Sequence, residues 1–315
     1  MKIRRESKRV GDWAPIVSVV PIVLANIICI FEYSNSTDMP IIDLGKCNRC
    51  LKCVKDCPAS AITIETGEIA NTCIHCGHCV AICPEMAVRP DFGNIFLLQP
   101  HDVTPKDFRN LTSGIRSCRS YLQKDVPDAV LMQLIDNMKH YPSASNARPL
   151  QITIVRSKEK VKLLNDLTAE TLIRMFSLLC SPWISPFIRI FVPSVNINTI
   201  KRYKALFIER KKVNDSQICH HAPAVLLFHG KVSKTGMAEA DANIWATYTS
   251  IYANTLGLGT CFNGYIVKAM GKKSKLNQQF KVPAKHRVYA SLLVGYPKVK
   301  YRNEASRQSP IVVLL

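Results

Sequence analysis

Apolar positions in the last two thirds of the chain follow two periods. Between Asp128 and Lys139, the residues Val130, Leu131, Leu134, Ile135 and Met138 fall on one face, which predicts an amphipathic helix. Val161–Met175 and Met237–Leu256 predict two further helices, the second ended by Gly257. Ile200–Val213 predicts a basic helix carrying Lys201, Arg202, Lys204, Arg210, Lys211 and Lys212, either a solvated face, a substrate lid or a docking face. Thr104 followed by Pro105 reads as an N-cap with proline at the first helical position, leading into a short helix over Phe108–Gly114. Gln151–Arg156, Ala224–Gly230 and Val288–Gly295 predict strands, the middle one buried. Phe176–Val195 is apolar but contains Pro182, Pro186, Arg189 and Pro193, so it reads as a loop or broken helix. Ile311–Leu315 is a short apolar tail. The mixture predicts an α+β fold, a sheet with helices packed on it.

The first third is patterned by cysteine instead. Cys47, Cys50, Cys53 and Cys57 are followed by Pro58; Cys73, Cys76, Cys79 and Cys83 are followed by Pro84. Each half is C-x2-C-x2-C-x3-C-P, and the second repeats the first 26 residues later. Four thiolates must converge on the corners of a cubane cluster. Three come from one loop and the fourth, before the proline, from the other repeat. This pairs Cys47, Cys50, Cys53 and Cys83 on one [4Fe–4S] cluster, and Cys57, Cys73, Cys76 and Cys79 on a second. Zinc ribbons or a disulfide knot are the competing readings, and the doubled order with its prolines favours clusters. Short strands are expected at Ile62–Ile64 and Ala87–Val88, with a turn at Glu65–Glu68 around Gly67. This segment, about Pro40 to Pro90, resembles bacterial-type ferredoxins with two [4Fe–4S] clusters.

Residues 1–38 pair a basic start (Lys2, Arg4, Arg5, Lys8, Arg9) with an apolar run from Trp13 to Phe31. As a helix that run would span roughly 28 Å, close to a bilayer core. Pro15, Pro21 and Asn26 interrupt it. Three readings stand: an extension ahead of a true start at Met39, a membrane anchor, or a targeting segment. The chain therefore divides into residues 1–38, a two-cluster unit with its linker at 39–100, and a larger domain at 101–315.

The formal net charge is +19, and it is carried by residues 101–315; the two preceding segments nearly balance. A basic protein invites a nucleic-acid reading. No zinc finger, RNP motif or evenly basic stripe supports it, and an anionic cofactor or acidic electron carrier explains the charge. The five cysteines outside the repeat (Cys29, Cys118, Cys180, Cys219, Cys261) form no framework, which argues for a reducing compartment.

Electrons delivered singly by clusters need a receiver. No Gly-x-Gly-x-x-Gly follows a strand, so a Rossmann dinucleotide site has no support. Three islands could hold an anionic flavin: Ile115–Tyr121, with Arg116, Ser117 and Arg119; Tyr141–Leu150, small, polar and sharply turned; and Gly257–Tyr265, a helix end followed by a tight turn. A late basic cluster follows at Gly295–Arg302. In this order, after a ferredoxin unit, they resemble the FMN-dependent nitroreductase family in its ferredoxin-fused form, over about Leu111 to Arg302.

The resemblance implies that Arg116, Ser117 and Arg119 hold the FMN phosphate and ribityl chain. It implies that Pro142, Ser143, Ala144, Asn146 and Arg148 line the isoalloxazine, that Asn263 and Gly264 face the ring, and that Lys300 and Arg302 reach the phosphate. Arg148 stands where the family has glutamine, and Leu150 where it has an aromatic. Homodimers with FMN at the subunit interface are implied too. The expected function is an FMN-dependent oxidoreductase. It passes electrons from ferredoxin, flavodoxin or NAD(P)H through two [4Fe–4S] clusters to FMN and on to a nitro compound, quinone or similar acceptor. The flavin carries the hydride, so no side chain is singled out as an acid or base. The competing readings are another flavin reaction such as reductive dehalogenation, an electron relay or redox sensor without an organic substrate, and a membrane-anchored electron-transfer protein. The expected location is cytoplasmic, or membrane-anchored through residues 13–31. His220 and His221 read as structural or solvated, since no acid partner is evident.

Overall fold

The computed structural model describes residues 39–315 except 92, 187–190, 192–195, 214, 216–217, 233–235 and 272–273. The apolar run at 13–31 lies outside the described residues. Among those described, no helix is long and apolar enough to cross a membrane. The chain forms two compact units, one ending at Ile95 and the other beginning at Phe96.

In the first unit the repeat is visible in the elements. Helix α1 (Lys52–Asp56) recurs as α2 (His78–Ile82), and strand β2 (Ile62–Thr63) recurs as β4 (Val88–Arg89), each 26 residues on. Strand β1 (Ile41–Ile42) pairs antiparallel with β4, and β2 pairs with β3 (Glu68–Ile69). Gly67 makes the β2–β3 turn at φ 73°. The core is small: Ile42, Ile64 and Val88 with the sulfurs of Cys53 and Cys79. So little buried apolar surface leaves the unit dependent on other cross-links.

In the second unit, Thr104 caps α3 (Pro105–Gly114). Its hydroxyl accepts from the Asp107 N–H and the Asp107 carboxylate accepts in return, a full capping box with proline at the first turn. Next come α4 (Asp128–Asn137), β5 (Leu150–Arg156), α5 (Lys158–Leu179) and α6 (Ile197–Lys212). They are followed by β6 (Ala224–Lys231), α7 (Ala238–Thr255), β7 (Gly259–Phe262), α8 (Gly264–Ala269), α9 (Lys275–Gln279) and β8 (His286–Gly295). The strands form an antiparallel sheet in the order β5-β6-β8-β7.

Central β6 is apolar almost throughout because both its faces are covered. Ala224, Leu226 and Phe228 face a core built with α4 and α7, where Trp245 meets Phe228 edge-on. Val225 and Leu227 face a second core built with α5, Phe207 and Phe280. The fold is α+β, as expected. Two expectations need correction. Helix α5 runs past the expected Met175 to Leu179, into the stretch read as a loop or broken helix, and the first proline, Pro182, follows its end. The stretch after Gly257 is not simply a turn: Gly259–Phe262 is an edge strand.

Candidate functional site

The first unit holds two cavities, each ringed by four cysteines. Cys47, Cys50, Cys53 and Cys83 line one; Cys57, Cys73, Cys76 and Cys79 line the other. Each takes three cysteines from one loop and the fourth from the other repeat. The loops are held in left-handed backbone at matched positions: Arg49 and His75 (φ 55° and 54°), Leu51 and Gly77 (60° and 74°), Ser60 and Met86 (both 47°). Those turns aim N–H groups at sulfur. Arg49 and His75 donate to Cys47 and Cys73 at 3.4 Å, and Ala61 and Ala87 donate to Cys57 and Cys83 at 3.3 Å.

Burial raises the thiols of Cys53, Cys73 and Cys79, the last to about 11. Neighbouring Cys47 and Cys83 push Cys53 further, and Cys76 and Cys57 push Cys73 further. Four thiolates gathered there need a strongly cationic centre, which the iron of a cluster would supply. Among the described residues no group of three His, Cys, Asp or Glu is placed to hold a single metal ion. Each ring gathers four cysteines, the number of iron corners on a cubane cluster. One difference breaks the repeat symmetry: the His75 Nδ1 lies 2.7 Å from the Asp91 Oδ2, both nearly buried.

In the second unit, three sequence islands meet along the outer edge of β7. The Cys118 N–H donates to the Thr260 carbonyl at 2.8 Å. The Leu122 N–H reaches Tyr296 O, and the Lys298 N–H reaches Ser120 O at 2.9 Å, with Tyr121 bridged to Pro297. This seam carries Ser117 and Arg119, both exposed. Burial raises the Cys261 thiol, while the Arg119 charge and the Ser117 side chain both bear on it and favour its ionised form. Gly264 opens α8 beside the seam, exposed, with nothing within 4 Å of where a Cβ would stand. An anionic cofactor fits a seam with an exposed guanidinium, a hydroxyl and an open glycine.

Two residues expected here are spoken for. Arg116 Nη1 donates to the Ser113 and Ile115 carbonyls at 2.7 and 2.8 Å, closing the end of α3. Asn263 is engaged by the fold. Its Oδ1 caps α8 by accepting from Tyr265 and Ile266 N–H, its Nδ2 donates to Ile218 O at 2.6 Å, and its backbone pairs with Ser291. Lys300 and Arg302 are exposed and lie outside any helix or strand.

The remaining island lies elsewhere. Pro142–Arg148 is a tight turn with Ser145, Asn146 and Arg148 at φ 50°, 52° and 44°. The Arg148 N–H bonds Ser143 Oγ, and its Nε bonds Asn146 Oδ1. Asp241, on α7 and 2% exposed, accepts from the Ala144 N–H at 3.1 Å; burial raises its carboxyl. No pattern near Ala144 signals this partner, 97 residues away. Tyr141 stacks on Trp245 at 4.5 Å, and its hydroxyl is pushed up to about 12 by burial and by Asp241.

This turn precedes β5, where Leu150 faces Gly230. The seam flanks β7, near the opposite end of the strands, where Gly259 faces Gly295 and Val294 faces Ala224. The two therefore occupy diagonal corners of the sheet. They lie about 19 Å apart across the strands and about 20 Å along them, from the usual strand spacing and rise. Within one chain the four islands do not converge. His221 Nε2 lies 3.8 Å from Asp215 Oδ1, an acid partner the sequence did not reveal.

A family model described as the nitroreductase family matches residues 114–296, and one described as a 4Fe-4S dicluster domain matches residues 39–84. Among curated proteins none matches the chain. Among solved structures, a nitroreductase with bound FMN from Bacteroides fragilis is 16% identical, over 66% of this chain and 98% of its own, with a TM-score of 0.48. An FMN-dependent nitroreductase from Clostridium difficile is 21% identical, over 67% and 100%, with a TM-score of 0.47. A nitroreductase with bound FMN from Desulfitobacterium hafniense is 14% identical, over 66% and 97%, with a TM-score of 0.48.

Proposed function

The chain belongs to the nitroreductase family, and we propose that it is an FMN-dependent oxidoreductase fed by its own two [4Fe–4S] clusters. When bound, the clusters would supply single-electron transfer and FMN the two-electron step to a nitro compound, quinone or similar electrophile. Residues 39–100 serve as the cluster-bearing domain and 101–315 as the flavin domain. The donor is ferredoxin, flavodoxin or NAD(P)H.

The observation that carries this reading is the seam. Hydrogen bonds from Cys118 to Thr260 and from Lys298 to Ser120 draw three islands, far apart in sequence, into one strip. Ser117, Arg119 and the Gly264 backbone there, with Lys300 and Arg302, bind the flavin of one site. Arg116 contributes what its guanidinium does not spend on α3. The turn holding Pro142, Ser143, Ala144, Asn146 and Arg148 sits at the far corner of the sheet, which supports its serving the flavin of a second copy in a homodimer.

The test is anaerobic. Protein purified without oxygen is assayed for iron and flavin, then given reduced ferredoxin and a nitroaromatic. About eight irons and about one FMN per chain are expected. Ferredoxin should bleach the protein, and the nitro compound should reoxidise it. Iron without flavin would overturn the reading in favour of a relay.

A further inference from the structure

The two cysteine rings match in their sulfur hydrogen bonds and differ in the charges beside them. Each ring receives one N–H at 3.4 Å and one at 3.3 Å, from Arg49 and Ala87 in the first and from His75 and Ala61 in the second. Those bonds cancel between the rings. The side chains at matched places of the repeat do not: Arg49 answers to His75, and Lys52 to His78. Arg49 and His75 share the same left-handed backbone, so the loops differ in charge and not in course.

Lys52 lines the cavity of Cys47, Cys50, Cys53 and Cys83. The opposing charge there is Glu85, exposed, its carboxylate accepting from Asn48 Nδ2 at 3.0 Å. With Arg49 in the same loop, two cations stand against one carboxylate, and the first ring is left net positive. His75 and His78 line the other cavity, and each meets an acid. His75 Nδ1 lies 2.7 Å from Asp91 Oδ2, whose side chain is only 7% exposed. His78 Nδ1 lies 3.2 Å from Asp56 Oδ2. With its carboxylate ionised, either pair is neutral or negative in total. Water differs in the same sense, since Cys50 is exposed and no cysteine of the second ring is. Positive charge and water favour an added electron; burial beside a carboxylate opposes it.

We propose that these side chains hold the two clusters at unequal potentials, so that the ring of Cys47, Cys50, Cys53 and Cys83 takes the first electron and the ring of Cys57, Cys73, Cys76 and Cys79 the second. This rests on the reading that each ring holds a [4Fe–4S] cluster. A one-electron carrier such as ferredoxin supplies each electron, and the charge of one cluster falls by one as it is taken up. A chain carrying a single electron keeps it at the first ring. Lys52 and the His75–Asp91 pair set this order through their field, without ligating either cluster.

Full-length protein purified without oxygen is titrated with dithionite through redox mediators at low salt, and reduction is followed by electron paramagnetic resonance. Two separate one-electron waves are expected. Cys57→Ser should remove the lower wave, and Cys50→Ser the upper. Lys52→Gln, at an exposed position, should lower the upper wave alone, changing the reduced-to-oxidised ratio about threefold at a fixed potential. His75→Arg with Asp91→Asn gives the second loop the charge of the first, and the backbone accepts arginine there as it does at Arg49. That pair should raise the lower wave alone, by about tenfold in the same ratio. Reduction of both clusters in one wave would overturn the proposal. So would loss of the upper wave in Cys57→Ser, or a charge variant that moves both waves alike. Half the expected iron in the wild type would instead overturn the reading of the rings.

Discussion

Gly259 and Gly295 are register partners on β7 and β8, and neither has room for a methyl group. A Cβ on Gly259 would come within 2.8 Å of both Cβ and Sγ of Cys118. One on Gly295 would come within 2.4 Å of Pro223 Cδ and 2.8 Å of Tyr121 Cδ1. Here the seam is pressed against the sheet. Overpacking of this kind costs about 1–3 kcal/mol. Gly295→Ala should lower stability in denaturant titration by that amount, since a proline ring cannot yield. Gly259→Ala should displace Cys118 and so also loosen flavin retention. Wild-type stability in both variants would mean the contact is slack.

The cysteine rings make a prediction that the linear repeat alone does not. Cys57 belongs with Cys73, Cys76 and Cys79, although it sits in the first repeat. Cys57→Ser should therefore cost about half the iron, and adding Cys76→Ser should cost no more. Cys57→Ser with Cys50→Ser should remove nearly all of it. Iron analysis with electron paramagnetic resonance reads the outcome; the reverse pattern would mean each repeat holds its own cluster.

Asp241 anchors the turn at Ala144 from α7. Asp241→Ala leaves the Ala144 N–H without its partner, at a cost of about 1–3 kcal/mol. Flavin retention should fall with stability, because the loosened turn carries Arg148. Asp241→Asn keeps an acceptor and removes a carboxyl that burial disfavours when charged, so it should match the wild type or exceed it in a thermal melt. Equal losses in both variants would show that the charge itself matters.

His229 and His286 share one hydrogen bond, Nδ1 to Nδ1 at 2.9 Å, while the His229 Nε2 meets the Thr153 hydroxyl at 3.0 Å. Burial, then His286, holds His229 down to about 4; burial, then Lys231, lowers His286. The unfolded chain, with histidines near their ordinary value of 6.5, binds more protons than the folded one below that pH. The stabilisation is complete above about 6.5 and is lost as pH falls toward about 4. The denaturation midpoint should drop between about pH 7 and about pH 5, and more shallowly in His229→Gln. Parallel slopes would discard the dyad as the cause.

What the sequence revealed depended on how local its cause was. The cysteine partition was legible because cluster geometry fixes both the spacing and the crossing of the fourth ligand. The strand β6 was legible because burial on both faces leaves an unbroken apolar run. The strand β7 was not: four residues at a sheet edge, opened by Gly257 and Gly259, look like a turn. For Asn263 the sequence offered only its place in a motif. Its actual bonds run to Ile218 and Ser291, which only the fold brings near. The separation of Arg119 from Arg148 was equally hidden, since strand order in the sheet is not written in any one segment.

That separation has a genetic consequence. If each flavin is held by the seam of one copy and the Arg148 turn of another, two differently damaged chains can rescue each other. A chain altered at Arg119 and a chain altered at Arg148 are each inactive alone. Co-expressed, they assemble mixed dimers in which one pocket combines both defects and the other combines both intact halves. Random pairing then restores roughly a quarter of all pockets. Two recessive lesions in one gene would complement, as lesions in two genes do.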